Sequence, residues 1–240
     1  MEGDNGMIKK RRKSLRIVLI IVAIILVALA GSFYIYTLDY YRADEVALQT
    51  MLDTEQYDKT LAVFAPQSAP SSGLIFYPGG KVESAAYAPL LRRVSENGIL
   101  CVMVDMPFHL AVFDTNAADR VMDAFPEIEH WYIAGHSLGG AMASSYAGSH
   151  TDRLNGLILL GAYPVNGAQI PTLALYGSED GLLNKEKLEG TANVIEIPGG
   201  NHACFGNYGE QRGDGAATIT REEQQRITAQ EISAFVKDND

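Results

Sequence analysis

The sequence predicts an α/β fold: a doubly wound, mostly parallel sheet, preceded by one N-terminal transmembrane helix. Two observations predict it. After residue 59, seven short apolar runs alternate with segments of helical periodicity, which is the pattern of a sheet covered by helices on both faces. Before them, residues 17–38 form an uncharged run of 22 residues. At about 1.5 Å per residue, a helix of that length spans roughly 33 Å and crosses a bilayer core.

Composition excludes several classes of protein. The chain has 240 residues, of which 47% are hydrophobic and 20% charged, as in one globular domain plus an extra segment. The net charge of −10 argues against a nucleic-acid partner. Two cysteines are too few for a disulfide scaffold or a Cys-rich zinc module, and no residues stand at metal-ligand spacing. We therefore expect no cofactor and no metal, and the oligomeric state stays open.

Basic residues precede the apolar run of residues 17–38, and acidic residues follow it. Residues 1–16 carry a formal charge of +4 and the remaining chain −14. The preference of positive charge for the inner side predicts a cytoplasmic tail over 1–16, a signal-anchor helix over 17–38 and an extracytoplasmic domain at the cell membrane. A cleaved signal peptide is the alternative, because Ala28-Leu29-Ala30 matches a cleavage site, and cleavage would release a secreted domain. A buried core helix is the third interpretation.

Beyond the membrane segment we expect a helical lead-in over residues 39–58 and a folded domain over 59–240. Most apolar runs of the domain do not alternate with polar residues, as expected of strands buried on both faces. Helical periodicity follows at 87–94 and 118–125, and a capping box beginning at Thr220 opens a last helix. In such a sheet the site lies at the carboxyl ends of the strands. The predicted strands cover residues 60–65, 73–77, 99–104, 131–135, 156–160, 172–176 and 193–197.

A glycine-rich motif, GHSLGG over residues 135–140, stands between a predicted strand and a predicted helix. G-x-S-x-G in this context is typical of a nucleophile elbow. The tight turn predicts a strained backbone at Ser137, with its hydroxyl above the sheet. The helix N-terminus would aim backbone N–H groups at developing negative charge. Ser137 is the predicted nucleophile, and the alternative is a glycine-rich turn with an incidental serine.

A serine nucleophile needs a base, and the base needs an acid that orients it. Of the five histidines, His202 follows the last apolar run, in a loop at a strand end, and is the predicted base. A surface histidine without a role is the alternative. The run 172–176 leads into Glu179 and Asp180; Asp180 is the predicted acid and Glu179 its rival. The order Ser137, Asp180, His202 is the order of the triad that accompanies a nucleophile elbow.

The oxyanion of an acyl-transfer reaction needs two backbone donors. We expect one at the N–H of Leu138, directly after the nucleophile. The other should come from the loop after the strand 73–77, at the N–H of Lys81 or Gly80. Two interpretations are open for the Lys81 side chain, namely contact with an anionic substrate group and a surface ion pair with Glu83.

Several stretches of the sequence resemble the α/β-hydrolase superfamily, specifically the small group called α/β-hydrolase fold family 5. They are IFYPGGKVE, DMPFHLAVF, GHSLGG, YGSEDGL and GGNHACFGNYGEQRGDGAATI, within residues 60–225. GHSLGG recurs widely among esterases, lipases and thioesterases, whereas the long histidine-containing stretch is more specific. The resemblance implies the hydrolase sheet, carries Ser137, Asp180 and His202 as the triad, and leaves the substrate undefined. The short segment after residue 160 departs from larger esterases and predicts a minimal fold without a large lid.

These features predict a membrane-anchored serine hydrolase that acts by acyl transfer on a carboxylic ester, with thioesters and amides as alternatives. The substrate would be a small-molecule or lipid-like ester. Phe108, His109 and Cys204 are candidates for lining the pocket. Cys101 and Cys204 are expected to be free thiols, because roughly 13 Å of strand separates Cys101 from the edge that carries the site. A different class stays open, a non-catalytic cell-envelope binding domain on the same scaffold.

Overall fold

The computed structural model describes residues 2–165 and 169–240. The chain divides into two compact units, with the boundary in the sequence between Asp39 and Tyr40. The first unit is helix α1 (Glu2–Leu38). Its segment Arg11–Leu38 is long and apolar enough to cross a membrane by length and composition, and its apolar side chains are exposed. The helix also includes the basic residues that the sequence placed in a separate tail.

The second unit is built on an eight-stranded sheet in the order β1-β2-β4-β3-β5-β6-β7-β8. Strands β3 to β8 are parallel to one another, whereas β2 pairs antiparallel with both β1 and β4. All seven predicted strands are present; β1, only two exposed residues long, lies inside the predicted lead-in. The strands are β1 (Glu55–Gln56), β2 (Leu61–Phe64), β3 (Ser72–Tyr77), β4 (Leu100–Val104), β5 (His130–His136), β6 (Gly156–Leu160), β7 (Thr172–Gly177) and β8 (Asn193–Ile197).

Helices cover both faces of this sheet, which confirms the doubly wound architecture. Alternate residues of β3 enter opposite cores: Leu74 and Phe76 pack with α3 and α6, whereas Ile75 and Tyr77 pack with α4 and α5. Both faces of the strand are therefore removed from water, which explains its continuous apolar sequence. The helices of this unit are α2 (Glu45–Leu52), α3 (Ala88–Ser95), α4 (Ala117–Ala124), α5 (Leu138–Ser149) and α6 (Arg221–Asn239).

The start of α6 follows half of the predicted capping box. The Thr220 hydroxyl accepts a hydrogen bond from the Glu223 N–H at 3.1 Å, as an N-cap should. The Glu223 carboxylate, in contrast, pairs with Arg226 one turn later.

The strand order places a crevice at the carboxyl end of β3. The chain passes from β3 to β4 on one side and then returns to form β5 on the other. Ligands bind at such a switch point in open α/β sheets. The loops that follow β3, β4, β5, β7 and β8 all lie at this edge. The β6–β7 connection contains no helix in the part that the structure describes, in line with the predicted minimal fold.

Candidate active site

Ser137 lies in a sharp turn between β5 and α5. Its backbone has φ 51° and ψ −118°, a conformation that is costly for a residue with a side chain, by roughly 1–3 kcal/mol. The turn also needs glycine on both sides, because a Cβ at Gly135 would overlap the Gly139 carbonyl and one at Gly139 would overlap backbone oxygens of Tyr77 and Pro78. Residues 135–140 therefore have both the sequence and the strand–turn–helix geometry expected of a nucleophile elbow.

His202 and Asp180 form a buried hydrogen-bonded pair. Asp180 Oδ2 lies 2.8 Å from His202 Nδ1, and the two side chains are 0% and 2% exposed. The second carboxylate oxygen of Asp180 accepts the N–H groups of Leu182 and Leu183 at 2.9 and 2.8 Å. Because a carboxylate accepts only, Nδ1 carries the proton and Nε2 has the free lone pair. The rival carboxylate of Glu179 is exposed and accepts a hydrogen bond from Ser178 at 2.9 Å.

The end of β6 brings the elbow and this pair together. The Ser137 N–H donates to the Leu160 carbonyl at 2.9 Å. The next residue, Gly161, has φ 52°, and a Cβ there would lie 2.8 Å from His202 Nδ1 and 3.2 Å from Asp180 Oδ2. Among the described residues, His202 Nε2 is buried without a hydrogen-bond partner. Ser137, Asp180 and His202 thus lie in loops at the carboxyl ends of β5, β7 and β8, around the end of β6.

A second histidine lies beneath His202. The His136 ring is 4.5 Å from the His202 ring, and its Nδ1 is 2.8 Å from the Tyr87 hydroxyl. That hydroxyl also accepts the Gly79 N–H at 3.0 Å. Burial, together with the nearby His202, lowers the pKa of His136 well below its usual value, so the ring is neutral. His136 therefore packs between the His202 ring and the Tyr87 hydroxyl that binds the Gly79 loop.

The loop after β3 corrects one expectation about the oxyanion hole. The Lys81 N–H donates to the His109 carbonyl at 2.8 Å, so it is not available to a substrate oxygen. Gly80 lies against the elbow, where a Cβ would come within 2.8 Å of the Leu138 side chain. Leu138 is the first residue of α5, and an N–H at that position has no intrahelical acceptor. Leu138 and Gly80 therefore remain the candidate donors.

The three pocket-lining candidates occupy different places. Phe108 is 50% exposed. The His109 ring packs against the Tyr40 ring, tilted by 32°, with centroids 4.0 Å apart. Cys204 lines a cavity of about 360 Å³ with Asn201, Asp214 and Arg221, and neither Ser137 nor His202 lines it. Burial raises the pKa of the Cys204 thiol.

Both cysteines are free, as predicted, and Cys101 is buried. In the described ranges 2–165 and 169–240, no group of three or more His, Cys, Asp or Glu residues is placed to hold a metal ion.

Asp214 is the residue that sequence reasoning missed. Its carboxylate accepts the backbone N–H groups of His202 at 3.2 Å and Ala203 at 2.8 Å, and also that of Gly181 at 3.2 Å. It thus ties the loop that carries the histidine to the loop that carries Asp180. The sequence offers one signal, an aspartate between two glycines, but nothing in it shows which loop that aspartate contacts.

The match to a family model decides the identification. A model of the alpha/beta hydrolase family matches residues 73–226, which is more than half of the chain and includes the elbow, the Asp180 loop and the His202 loop. The chain belongs to the α/β-hydrolase family. Comparison with curated protein sequences finds no match.

Solved structures share the hydrolase fold at low sequence identity. Est1E from Butyrivibrio proteoclasticus is 15% identical, with a TM-score of 0.55, over 78% of this chain and 97% of that one. MenH from S. aureus is 13% identical, with a TM-score of 0.57, over 76% and 99%. The monoacylglycerol lipase of Paleococcus ferrophilus is 14% identical, with a TM-score of 0.56, over 73% and 98%. The fold and its esterase and lipase neighbours support a hydrolase activity for this member of the family.

Proposed function

We propose that this α/β-hydrolase is a membrane-anchored serine hydrolase that cleaves carboxylic esters. Ser137 is the nucleophile, His202 the general base and Asp180 the acid that orients it. The observation that carries the proposal is the buried His202–Asp180 pair at 2.8 Å, with the second imidazole nitrogen unpartnered among the described residues. A histidine held in this tautomer can take a proton from a neighbouring hydroxyl.

The proposed reaction transfers an acyl group in two steps. Ser137 Oγ bonds to the ester carbonyl carbon while its proton passes to His202 Nε2, and the carbonyl oxygen takes the electron pair. The N–H groups of Leu138 and Gly80 donate to this oxyanion, which the N-terminus of α5 also stabilises. The tetrahedral intermediate then breaks the C–O bond, and the departing alkoxide takes the proton from His202. Water, activated by the same histidine, releases the acid and restores Ser137.

An ester is the proposed substrate class for two reasons. The structural neighbours include one named as an esterase, esterase 2 of Thermogutta terrifontis, and one named as a monoacylglycerol lipase. The described part of the chain also places no helix between β6 and β7, which favours a site open to substrates of varied size. Thioesters and amides would need the same oxyanion donors and nucleophile, so they remain the second choice.

Labelling by a fluorophosphonate probe tests the nucleophile directly. We expect the full-length chain in detergent to be labelled at Ser137 and to hydrolyse p-nitrophenyl esters, and a series of graded acyl length would define the preferred chain. The matched control is Ser149→Ala at the other end of α5, which should be labelled like the wild type. A chain that is neither labelled nor active on any ester would instead be a binding domain on a hydrolase scaffold.

Membrane anchoring is the second part of the proposal. It rests on the apolar helix Arg11–Leu38 and on the basic residues that precede residues 17–38. An epitope placed after Asp240 should be accessible to protease on intact cells, while the protein stays in the membrane fraction. A released product that begins at Gly31 would contradict the anchor and leave export intact. Protection of the epitope would contradict the orientation itself.

A further inference from the structure

The proposed membrane segment ends directly before the domain begins. Helix α1 ends at Leu38, and the second compact unit starts at Tyr40. Two residues of extended chain span at most about 7 Å. A membrane-embedded α1 therefore holds whichever part of the domain contains Tyr40 close to the bilayer surface, whatever angle the helix takes.

Tyr40 and Tyr41 lie at the edge of the sheet that carries the candidate active site. The Tyr40 ring packs against the His109 ring, with centroids 4.0 Å apart and the planes tilted by 32°. The Tyr41 N–H donates to the Lys81 carbonyl at 2.8 Å, and the Tyr41 carbonyl accepts the Glu83 N–H at 2.9 Å. Lys81 follows Gly80, the proposed oxyanion donor. The first residues of the domain are thus built into the loop that borders the oxyanion hole.

Exposed apolar side chains project from a neighbouring loop at the same edge. The loop after β4 presents Phe108, Val112 and Phe113, which are 50%, 46% and 51% exposed. The two phenyl rings are in edge contact, with centroids 5.6 Å apart. Phe108 and His109 both have positive φ, 58° and 56°, so the chain adopts an unfavourable conformation to form this loop. We call Phe108, Val112 and Phe113 the apolar rim.

The polar groups beside the rim are those of a membrane–water interface. The Arg42 guanidinium lies over the Tyr40 ring at 4.7 Å and donates to its hydroxyl at 3.1 Å. Tyrosine and arginine at the end of an apolar helix are typical interfacial anchors. Net charge would not attract the domain to the bilayer surface, because residues 17–240 carry a formal charge of −14 and would be repelled by anionic lipid. Apolar contact and the short tether therefore supply the attraction.

We propose that the mouth of the active site faces the bilayer, with the apolar rim in the outer leaflet, and that the substrate is a lipid ester drawn from that leaflet. The inference rests on the proposed function. The rim and the oxyanion loop share one edge of the sheet, so the proposed path of the acyl chain from the leaflet to Ser137 runs along that edge. A small ester in solution would reach the same serine without using the rim.

Membrane contact of the rim can be measured without any activity. We expect Phe113→Trp in full-length protein, reconstituted in vesicles, to be quenched by lipids with brominated acyl chains. The matched control is Val194→Trp, at the amino end of β8 and opposite the site, which should not be quenched. The native Trp131 is only 6% exposed. Its fluorescence is measured in the wild-type protein and subtracted from that of each variant. Equal quenching at both positions, or none at residue 113, would overturn the inference.

Hydrolysis of two substrates separates this inference from the proposed function. In vesicles, Val112→Ser/Phe113→Ser should lower turnover of a vesicle-embedded long-chain ester about tenfold relative to a water-soluble short-chain ester, whereas Val194→Ser should leave the ratio unchanged. An unchanged ratio in the rim variant, with both esters hydrolysed, would overturn the inference alone. If the wild-type protein hydrolysed neither ester, that result would instead contradict the hydrolase proposal.

Discussion

Ser137→Ala and His202→Ala should each lower the kcat for ester hydrolysis by a factor on the order of 10⁵, and the double variant should be hardly worse than either. The nucleophile and its base act in one step. A serine without a proton acceptor is a weak nucleophile, and a histidine without the serine has nothing to activate except water. The measurement is kcat on a soluble p-nitrophenyl ester for the three variants, with circular dichroism to confirm folding.

Two histidine variants test the specificity of this result. His130→Ala removes a histidine at the amino end of β5, where its ring contacts Asn155 at 3.1 Å, and should keep full activity. His109→Ala should keep most activity, because only the backbone carbonyl of His109 holds Lys81. If His109→Ala abolished turnover while His202→Ala did not, the base would be His109. Losses that multiplied in the double variant would show that the two residues do not act as one unit.

Asp180→Asn should lower kcat by roughly 10³–10⁴. The Asp180 carboxylate accepts a hydrogen bond from the Nδ1–H of His202 at 2.8 Å, and both side chains are buried. It balances the charge of the imidazolium that forms during acyl transfer. An asparagine carries no charge. It can also present its N–H₂ group to Nδ1, which would put the proton on Nε2 and leave the serine without an acceptor.

Glu179→Gln is the matched control for the acid. Glu179 carries the same charge one residue away, but its side chain is exposed and bonds only to Ser178 among the described residues. The kcat of the Glu179→Gln variant should stay close to that of the wild type. Melting temperatures are needed for both variants, because Asp180 also accepts two backbone N–H groups. The reverse pattern, with Glu179→Gln inactive and Asp180→Asn active, would move the acid to Glu179.

The sequence determined the fold class because its local patterns and its tertiary structure agree. All seven apolar runs are strands. In β3, β4 and β6 every residue is buried, because a strand covered by helices on both faces needs apolar residues at every position. The elbow was recognisable for a similar reason, since glycines 135 and 139 stand where any side chain would overlap backbone. The pairing of Asp180 with His202 was also anticipated, from the ends of their strands.

Only the tertiary structure decided the contacts between loops that lie far apart in the sequence. Lys81 and Gly80 were equal candidates for the oxyanion donor until the fold brought the His109 carbonyl to the Lys81 N–H. Asp214 stands between two glycines, but nothing in the sequence shows that its carboxylate accepts the backbone N–H groups of His202 and Ala203. The pattern of apolar residues in a strand or helix indicates which side of that one element is buried. The hydrogen-bond partners of a loop depend instead on which strands are neighbours in the sheet, because neighbouring strands bring their end loops together. Only the folded sheet contains that information.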